Sequence, residues 1–206
     1  MSVTKFTSIA GAALIVVLGG TFLITQVMAP AKQFQACVGG RVVGGAIGGP
    51  FALVDHLGQN VSDVEVLDQP ALVYFGYTFC PDVCPMDVAR NSAAVEILAE
   101  SGLQVKPVFI TIDPERDTID YLAAFVANNH PNMVGLTGTA EQVAKAARSY
   151  KVYYRKQPSD DPDYYLMDHS NFTYLMMPEI GFVNFLRSDI SPQKIADLVA
   201  CVIKAA

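Results

Sequence analysis

Residues 71–85 read ALVYFGYTFCPDVCP, and this stretch carries the clearest information on both the fold and a candidate site. Its first part is apolar and aromatic without alternation, which predicts a strand buried on both faces. Cys80 and Cys84 follow, with three residues between them. If the segment coils into a helical turn, positions i and i+4 lie on one face, so that two thiols could hold one ion.

A histidine far along the chain extends this candidate site. His169 lies in YLMDHSNFTYL, residues 165–175. Soft thiolates select Cu(I), zinc or iron–sulfur clusters, and an added imidazole suits copper or zinc. The common redox motif has two residues between its cysteines rather than three, so the spacing favours chelation without excluding disulfide exchange. A structural disulfide or two inert core thiols are the alternatives.

The order of elements predicts an α/β fold with a mixed central sheet flanked by helices on both faces. Strands alternate with helices along most of the chain and then pair directly near its end. The predicted strands are a hairpin over 51–61, followed by 71–77, 105–113, 132–136, 172–177 and 181–186, and the predicted helices are 85–100, 117–129, 139–152 and 191–204.

This order places both cysteines where a buried strand gives way to a helix N-terminus, whose dipole favours thiolate over thiol. We expect His169 in the loop before strand 172–177. Asp82 and Asp168 are candidates for a fourth ligand or for a partner of the imidazole, although loop carboxylates more often cap backbone amides. In VFITIDPERDT, residues 108–118, we expect turn and cap residues, with a role near the metal for Asp113 or Arg116 as the alternative.

The N-terminal residues predict a membrane anchor. No charged side chain occurs from Phe6 to Ala31, and the apolar part is long enough to cross a bilayer as a helix. We therefore divide the chain into an anchor over 1–31, a glycine-rich flexible tether over 32–49 and a folded domain over 50–206. Ala29-Pro30-Ala31 has the form of a cleavage site, so a processed signal peptide is the alternative.

The net charge limits the classes of partner, and the number of cysteines indicates the cellular compartment. The chain has a formal net charge of −6, and all its acidic residues lie beyond the predicted anchor, which argues against a nucleic-acid partner. Four cysteines are compatible with an oxidising compartment. We predict a single-pass inner-membrane protein whose folded domain lies in the periplasm.

The chain resembles the Sco/SenC family of copper proteins in five blocks: IGGPFALVD, LVYFGYTFCPDVCP, VFITIDPERDT, GLTG and DHSNFTYLM, in that order. The resemblance implies a thioredoxin-like fold, an N-terminal transmembrane helix, and copper, as Cu(I) or Cu(II), held by Cys80, Cys84 and His169. It implies a metallochaperone that assists assembly of the binuclear copper centre of cytochrome c oxidase. The implied partners are the copper-bearing oxidase subunit and other periplasmic copper chaperones.

Cys37 and Cys201 are additional to that copper-site pattern. If Cys80 and Cys84 are kept for copper, the one pairing left among the four cysteines is Cys37 with Cys201. Free thiols or pairing between chains are the alternatives, because nothing in the sequence shows that these two residues meet.

Two other functions use the same residues. A membrane-tethered thiol–disulfide oxidoreductase that reduces the cysteines of the oxidase copper site needs Cys80 and Cys84 as its catalytic residues but does not need His169. A copper or redox sensor needs a surface that responds to occupancy of the site. The DHS setting of His169 favours the metallochaperone.

Overall fold

The computed structural model describes residues 34–39, 47–161 and 164–206. The predicted anchor over 1–31 therefore lies outside the described residues, as does half of the predicted tether. Within the described ranges, no helix combines the length and the apolar character needed to cross a membrane.

The described chain forms nine strands and six helices. The strands are β1 Ala52–Asp55, β2 Asn60–Ser62, β3 Ala71–Gly76, β4 Lys106–Thr111, β5 Val134–Thr137, β6 Tyr154–Lys156, β7 Met167–His169, β8 Thr173–Met177 and β9 Gly181–Leu186. The helices are α1 Gln35–Val38, α2 Asp63–Val66, α3 Val83–Glu100, α4 Ile119–Asn129, α5 Ala140–Ser149 and α6 Pro192–Ala205.

Seven strands form one mixed sheet in the order β2-β1-β5-β4-β3-β8-β9. Strands β3, β4 and β5 are parallel, and the remaining pairs are antiparallel. Strand β3 lies inside the sheet and every one of its residues is buried, as expected for a strand covered on both faces. The predicted mixed sheet flanked by helices is confirmed.

The direction of β3 positions the site. Successive side chains of a strand point to opposite faces, so Tyr74 and Gly76 share one face and Phe75 lies on the other. The chain leaves the end of β3 at Gly76 and reaches the start of α3 at Val83. The cysteines thus lie at the edge of the sheet where a parallel strand ends, next to a helix N-terminus.

Three local predictions need correction. Helix α3 begins at Val83 rather than Pro85, so Cys84 lies within its first turn. His169 does not lie in a loop, because it is the last residue of β7, which pairs with β6 in a separate two-stranded sheet. Residues 35–38, in the predicted tether, form the short helix α1, and the preceding Phe34 is buried.

Candidate metal centre

The structure brings the three predicted ligands together from three separate segments. Cys80 lies between β3 and α3, Cys84 is the second residue of α3, and His169 ends β7. One sulfur or nitrogen atom from each residue lies within 4.8 Å of the other two. Cys84 is fully buried, whereas Cys80 and His169 are partly accessible. The described part of the chain holds no second group of three such side chains.

The loop between β3 and α3 has its own supports. The amide of Cys80 donates to the carbonyl of Tyr77, which closes a turn. Pro85 occupies the first turn of α3, where a missing N–H costs no helical hydrogen bond. The cysteines are therefore held by backbone structure that follows directly from the local sequence.

His169 is oriented by the backbone beside it. Its Nδ1 lies 2.9 Å from the carbonyl oxygen of Ser170. A carbonyl can only accept, so Nδ1 donates to it and Nε2 is the ring nitrogen left to face the cysteines. That Nε2 lies 3.3 Å from Cys84 Sγ. The rings of Tyr74 and Tyr77 stand edge-on to the imidazole at centroid distances of 6.3 and 5.9 Å and confine it.

The carboxylates considered as partners of the imidazole behave differently from each other. Asp168 accepts hydrogen bonds from Arg155 and Gln157, so it does not hold the His169 ring. Asp82 lines the same cleft as Cys80 and His169 and makes no side-chain cap to α3. Asp168 lines this cleft as well, but its carboxylate is held by Arg155 and Gln157.

The two thiols differ in their protonation. A hydrogen bond from the Cys84 thiol holds the pKa of Cys80 well below its usual range, and His169 adds to this effect. The same hydrogen bond, together with burial, raises the pKa of Cys84. In the metal-free protein Cys80 is thus the thiolate and Cys84 the thiol. The helix dipole led us to expect thiolate character at both positions, and the hydrogen bond that Cys84 donates to Cys80, together with burial, overrides it at Cys84.

This difference can be tested by alkylation of the reduced, metal-free protein. Because its pKa is lowered, Cys80 should react with iodoacetamide as a thiolate from about pH 5 upward, whereas an ordinary thiol gains reactivity near its pKa of about 8.5. In Cys84→Ala the donor is lost, so the pH profile of Cys80 should move upward. A Cys80→Ala variant should react slowly throughout, since Cys84 is buried. If the pH profile of Cys80 alkylation were unchanged in Cys84→Ala, a hydrogen bond from the Cys84 thiol would not be what lowers the Cys80 pKa.

The segment after β4 ties the ligand-bearing loops together, a role that the sequence did not reveal. Arg116 Nε forms an ion pair with Asp113 Oδ2 at 2.6 Å, and the Tyr165 hydroxyl donates to Asp113 Oδ1 at 2.8 Å. The Arg116 guanidinium lies 3.5 Å from the centre of the Tyr165 ring and 5.0 Å from that of Phe79. These contacts connect the loop before Cys80 to the segment before His169.

Asp117 supports the cysteine loop directly. Its buried carboxylate accepts hydrogen bonds from the Thr78 amide, the Thr78 hydroxyl and the Thr111 hydroxyl. The neighbouring Thr118 caps α4, as the sequence predicted. Asp113 and Arg116 support the site through their ion pair and their contacts with Tyr165. Neither belongs to the group formed by Cys80, Cys84 and His169.

The remaining predicted site residues are Cys37 and Cys201. The structure joins them in a disulfide between α1 and α6. The free cysteines of the described residues are Cys80 and Cys84. Residues 34–39 are thereby linked to the last helix of the domain.

A family model described as SCO1/SenC matches residues 42–204. The chain belongs to the SCO1/SenC family. Protein SenC of Rhodobacter capsulatus is 46% identical over 197 residues, which is 95% of this chain and 89% of that protein. The mitochondrial SCO1 homolog 1 of Arabidopsis thaliana is 42% identical over 160 residues, and the match spans 77% of this chain but only 48% of that protein.

A solved member of the SCO1/SenC family shows the same fold with its metal. Arabidopsis thaliana ScoI with copper bound is 41% identical, with a TM-score of 0.71, and the match covers 77% of this chain and 99% of that one. This likeness confirms the predicted thioredoxin-like class for the folded domain.

Proposed function

We propose that the protein is a copper metallochaperone that binds copper through Cys80, Cys84 and His169 and assists assembly of the binuclear copper centre of cytochrome c oxidase. The observation that carries the proposal is the preformed ligand set, with three donor atoms within 4.8 Å. The copper-bound Arabidopsis relative supports copper as the ion. His169 Nε2, the ring nitrogen not engaged by the backbone, lies 3.3 Å from Cys84 Sγ, so one ion could reach both atoms.

The donor set suits an ion that is carried and then released. Two thiolates and one imidazole satisfy Cu(I), and Cu(II) would need a fourth donor such as water or an oxygen ligand. Asp82 lines the cleft on the accessible side. Cys80 is partly exposed while Cys84 is buried, so an incoming ligand of the acceptor would reach the ion from the Cys80 side.

The setting of the domain is part of the proposal. The uncharged stretch from Phe6 to Ala31 supports a membrane anchor over 1–31, a connecting segment over 32–49 and a copper-binding domain over 50–206. A domain tethered to the membrane would remain close to an acceptor in the same membrane. We place the domain in the periplasm, with the copper-bearing oxidase subunit and other periplasmic copper chaperones as partners.

A thiol–disulfide oxidoreductase is the main alternative. Thiol–disulfide exchange needs a thiolate to attack the disulfide of the substrate, and Cys80 is the thiolate here while Cys84 stays a thiol. Such exchange needs only the two cysteines, however, and does not need the imidazole whose Nε2 lies 3.3 Å from Cys84 Sγ. Copper binding uses all three side chains and is the better explanation.

Copper loading of a His169→Ala variant tests the proposal. We expect the reduced parent, loaded anaerobically, to bind one copper per chain and its Cu(II) form to show a thiolate charge-transfer band. The variant should lose or strongly alter that band, because one of the three donors is gone. His56→Ala is the matched control, since His56 accepts from the Gly135 amide and lies outside the ligand group.

Two outcomes would contradict copper delivery as the function. In one, His169→Ala binds copper with the parent's stoichiometry and spectrum. In the other, the parent binds no copper and still exchanges disulfides with a thiol substrate. Either result would favour the oxidoreductase.

A further inference from the structure

Tyr74 presents a buried hydroxyl that the ligand set does not explain. The residue is 1% exposed, and its phenol oxygen has no hydrogen-bond partner among the described residues. Leaving such a group unsatisfied costs about 1–3 kcal/mol, so native proteins seldom do so without a reason. Its ring lies beside the metal centre, where a bound ion would change which neighbouring atoms can accept a hydrogen bond.

The Tyr74 ring and the Cys84 sulfur meet over the same glycine. A Cβ built on Gly76 would lie 2.8 Å from Tyr74 Cε1 and 2.9 Å from Cys84 Sγ. The absence of a side chain at Gly76 is therefore what lets the phenol ring and the sulfur approach each other. The same ring stands edge-on to His169.

Two polar side chains near the phenol could accept a hydrogen bond from its hydroxyl, Cys84 and Asp87. The Asp87 carboxylate is already engaged, because Oδ1 lies 2.7 Å from Arg90 Nη1 and Oδ2 accepts from the Ser188 hydroxyl at 3.0 Å. The Cys84 sulfur is a poor acceptor while it carries a proton. It becomes a strong acceptor once the thiol is deprotonated, as metal binding requires.

We propose that Tyr74 is a positioning residue for Cys84: when Cys84 coordinates copper as a thiolate, the Tyr74 hydroxyl donates a hydrogen bond to its sulfur. The inference rests on the proposed copper function. A hydrogen bond to a ligating sulfur withdraws electron density from it and tunes the redox potential of the metal. Tyr74 thereby favours Cu(I) over Cu(II) at this centre.

The test compares Tyr74→Phe with Tyr150→Phe in the full-length protein. Tyr150 is an equally buried tyrosine whose hydroxyl likewise has no partner among the described residues. It packs against Phe75, whose side chain lies on the opposite face of β3 from Tyr74. Both variants remove one oxygen from the core, and only one removes the proposed donor.

The measurements are the thiolate-to-Cu(II) absorption band and the Cu(II)/Cu(I) midpoint potential. Tyr74→Phe should move the band to longer wavelength and change the ratio of Cu(I) to Cu(II) affinity by roughly tenfold towards Cu(II), a potential lower by about 59 mV. Tyr150→Phe should leave both at the wild-type values. Thermal unfolding should show both variants folded, because neither loses a hydrogen bond present in the metal-free structure.

Wild-type values of band and potential in Tyr74→Phe would overturn the inference and leave the copper function intact. Equal shifts in both variants would also overturn it, since they would indicate a general effect of core substitution. A wild-type protein with no thiolate-to-Cu(II) band would instead refute the proposed function, and the inference with it.

Discussion

Replacing Gly76 by alanine should both destabilise the protein and disrupt copper binding. The new methyl group would lie 2.8 Å from Tyr74 Cε1, 2.9 Å from Cys84 Sγ and 3.1 Å from Phe109 Cε2. All three neighbours are at most 1% exposed, so none can swing into solvent. Overpacking of this kind costs about 2–3 kcal/mol. Urea unfolding of the metal-free protein would measure that loss.

The effect on copper follows from the same contact. A shift of Cys84 Sγ away from the methyl group would change its 3.3 Å separation from His169 Nε2 and misplace one ligand. We expect copper affinity to fall by at least roughly tenfold, measured by competition with a Cu(I) chelator.

Gly135→Ala is a matched control for this prediction. Its Cβ would lie 2.8 Å from Leu122 Cγ and 2.8 Å from Val126 Cγ2, so it overpacks β5 against α4 instead. It should cost similar stability and leave copper affinity unchanged. If both variants bind copper with the wild-type affinity, Gly76 does not set the position of Cys84.

Much of the site could be predicted from the sequence because its ligands carry distinctive chemistry. The motif around Cys80 and Cys84 follows a strongly apolar strand, and local hydrophobic pattern is sufficient to place such an element. The distant His169 could be joined to it through the resemblance of the DHS block to a known family. The mixed sheet could also be predicted, because the order of strands and helices follows from local hydrophobic patterns.

The residues that orient the site could not be predicted, because they act through contacts between distant segments. Tyr165 and Asp113 are 52 positions apart, and no local pattern connects them. Strand β6 is three residues long and largely exposed, so it shows no alternation to mark it as a strand. Without β6, its partner β7 could not be recognised, and His169 was expected in a loop.

Burial also changed the electrostatics in a way that sequence position could not show. The N-terminus of α3 should favour thiolate at either cysteine. The Cys84 thiol nevertheless donates a hydrogen bond to Cys80 and is enclosed by the core, so the two pKa values move in opposite directions. Which cysteine has the lowered pKa depends on which sulfur faces the cleft, and only the folded chain determines that.

Removing the Cys37–Cys201 disulfide should give the second large loss of stability. The bond closes a loop with a sequence separation of 164. In the chain-entropy model a loop of this size stabilises the folded protein by about 5 kcal/mol, and measured values are often smaller. We expect Cys37→Ser/Cys201→Ser to lower the free energy of unfolding by about 3–5 kcal/mol.

The comparison should be made in a Cys80→Ser/Cys84→Ser background without reductant, so that no other disulfide can form. Under these conditions urea unfolding reports the one bond that differs. Cys37 and Cys201 are not in the ligand group, so with Cys80 and Cys84 restored the same double serine variant should bind copper with unchanged stoichiometry. Loss of less than about 1 kcal/mol would contradict this prediction and would mean that the bond contributes little to stability.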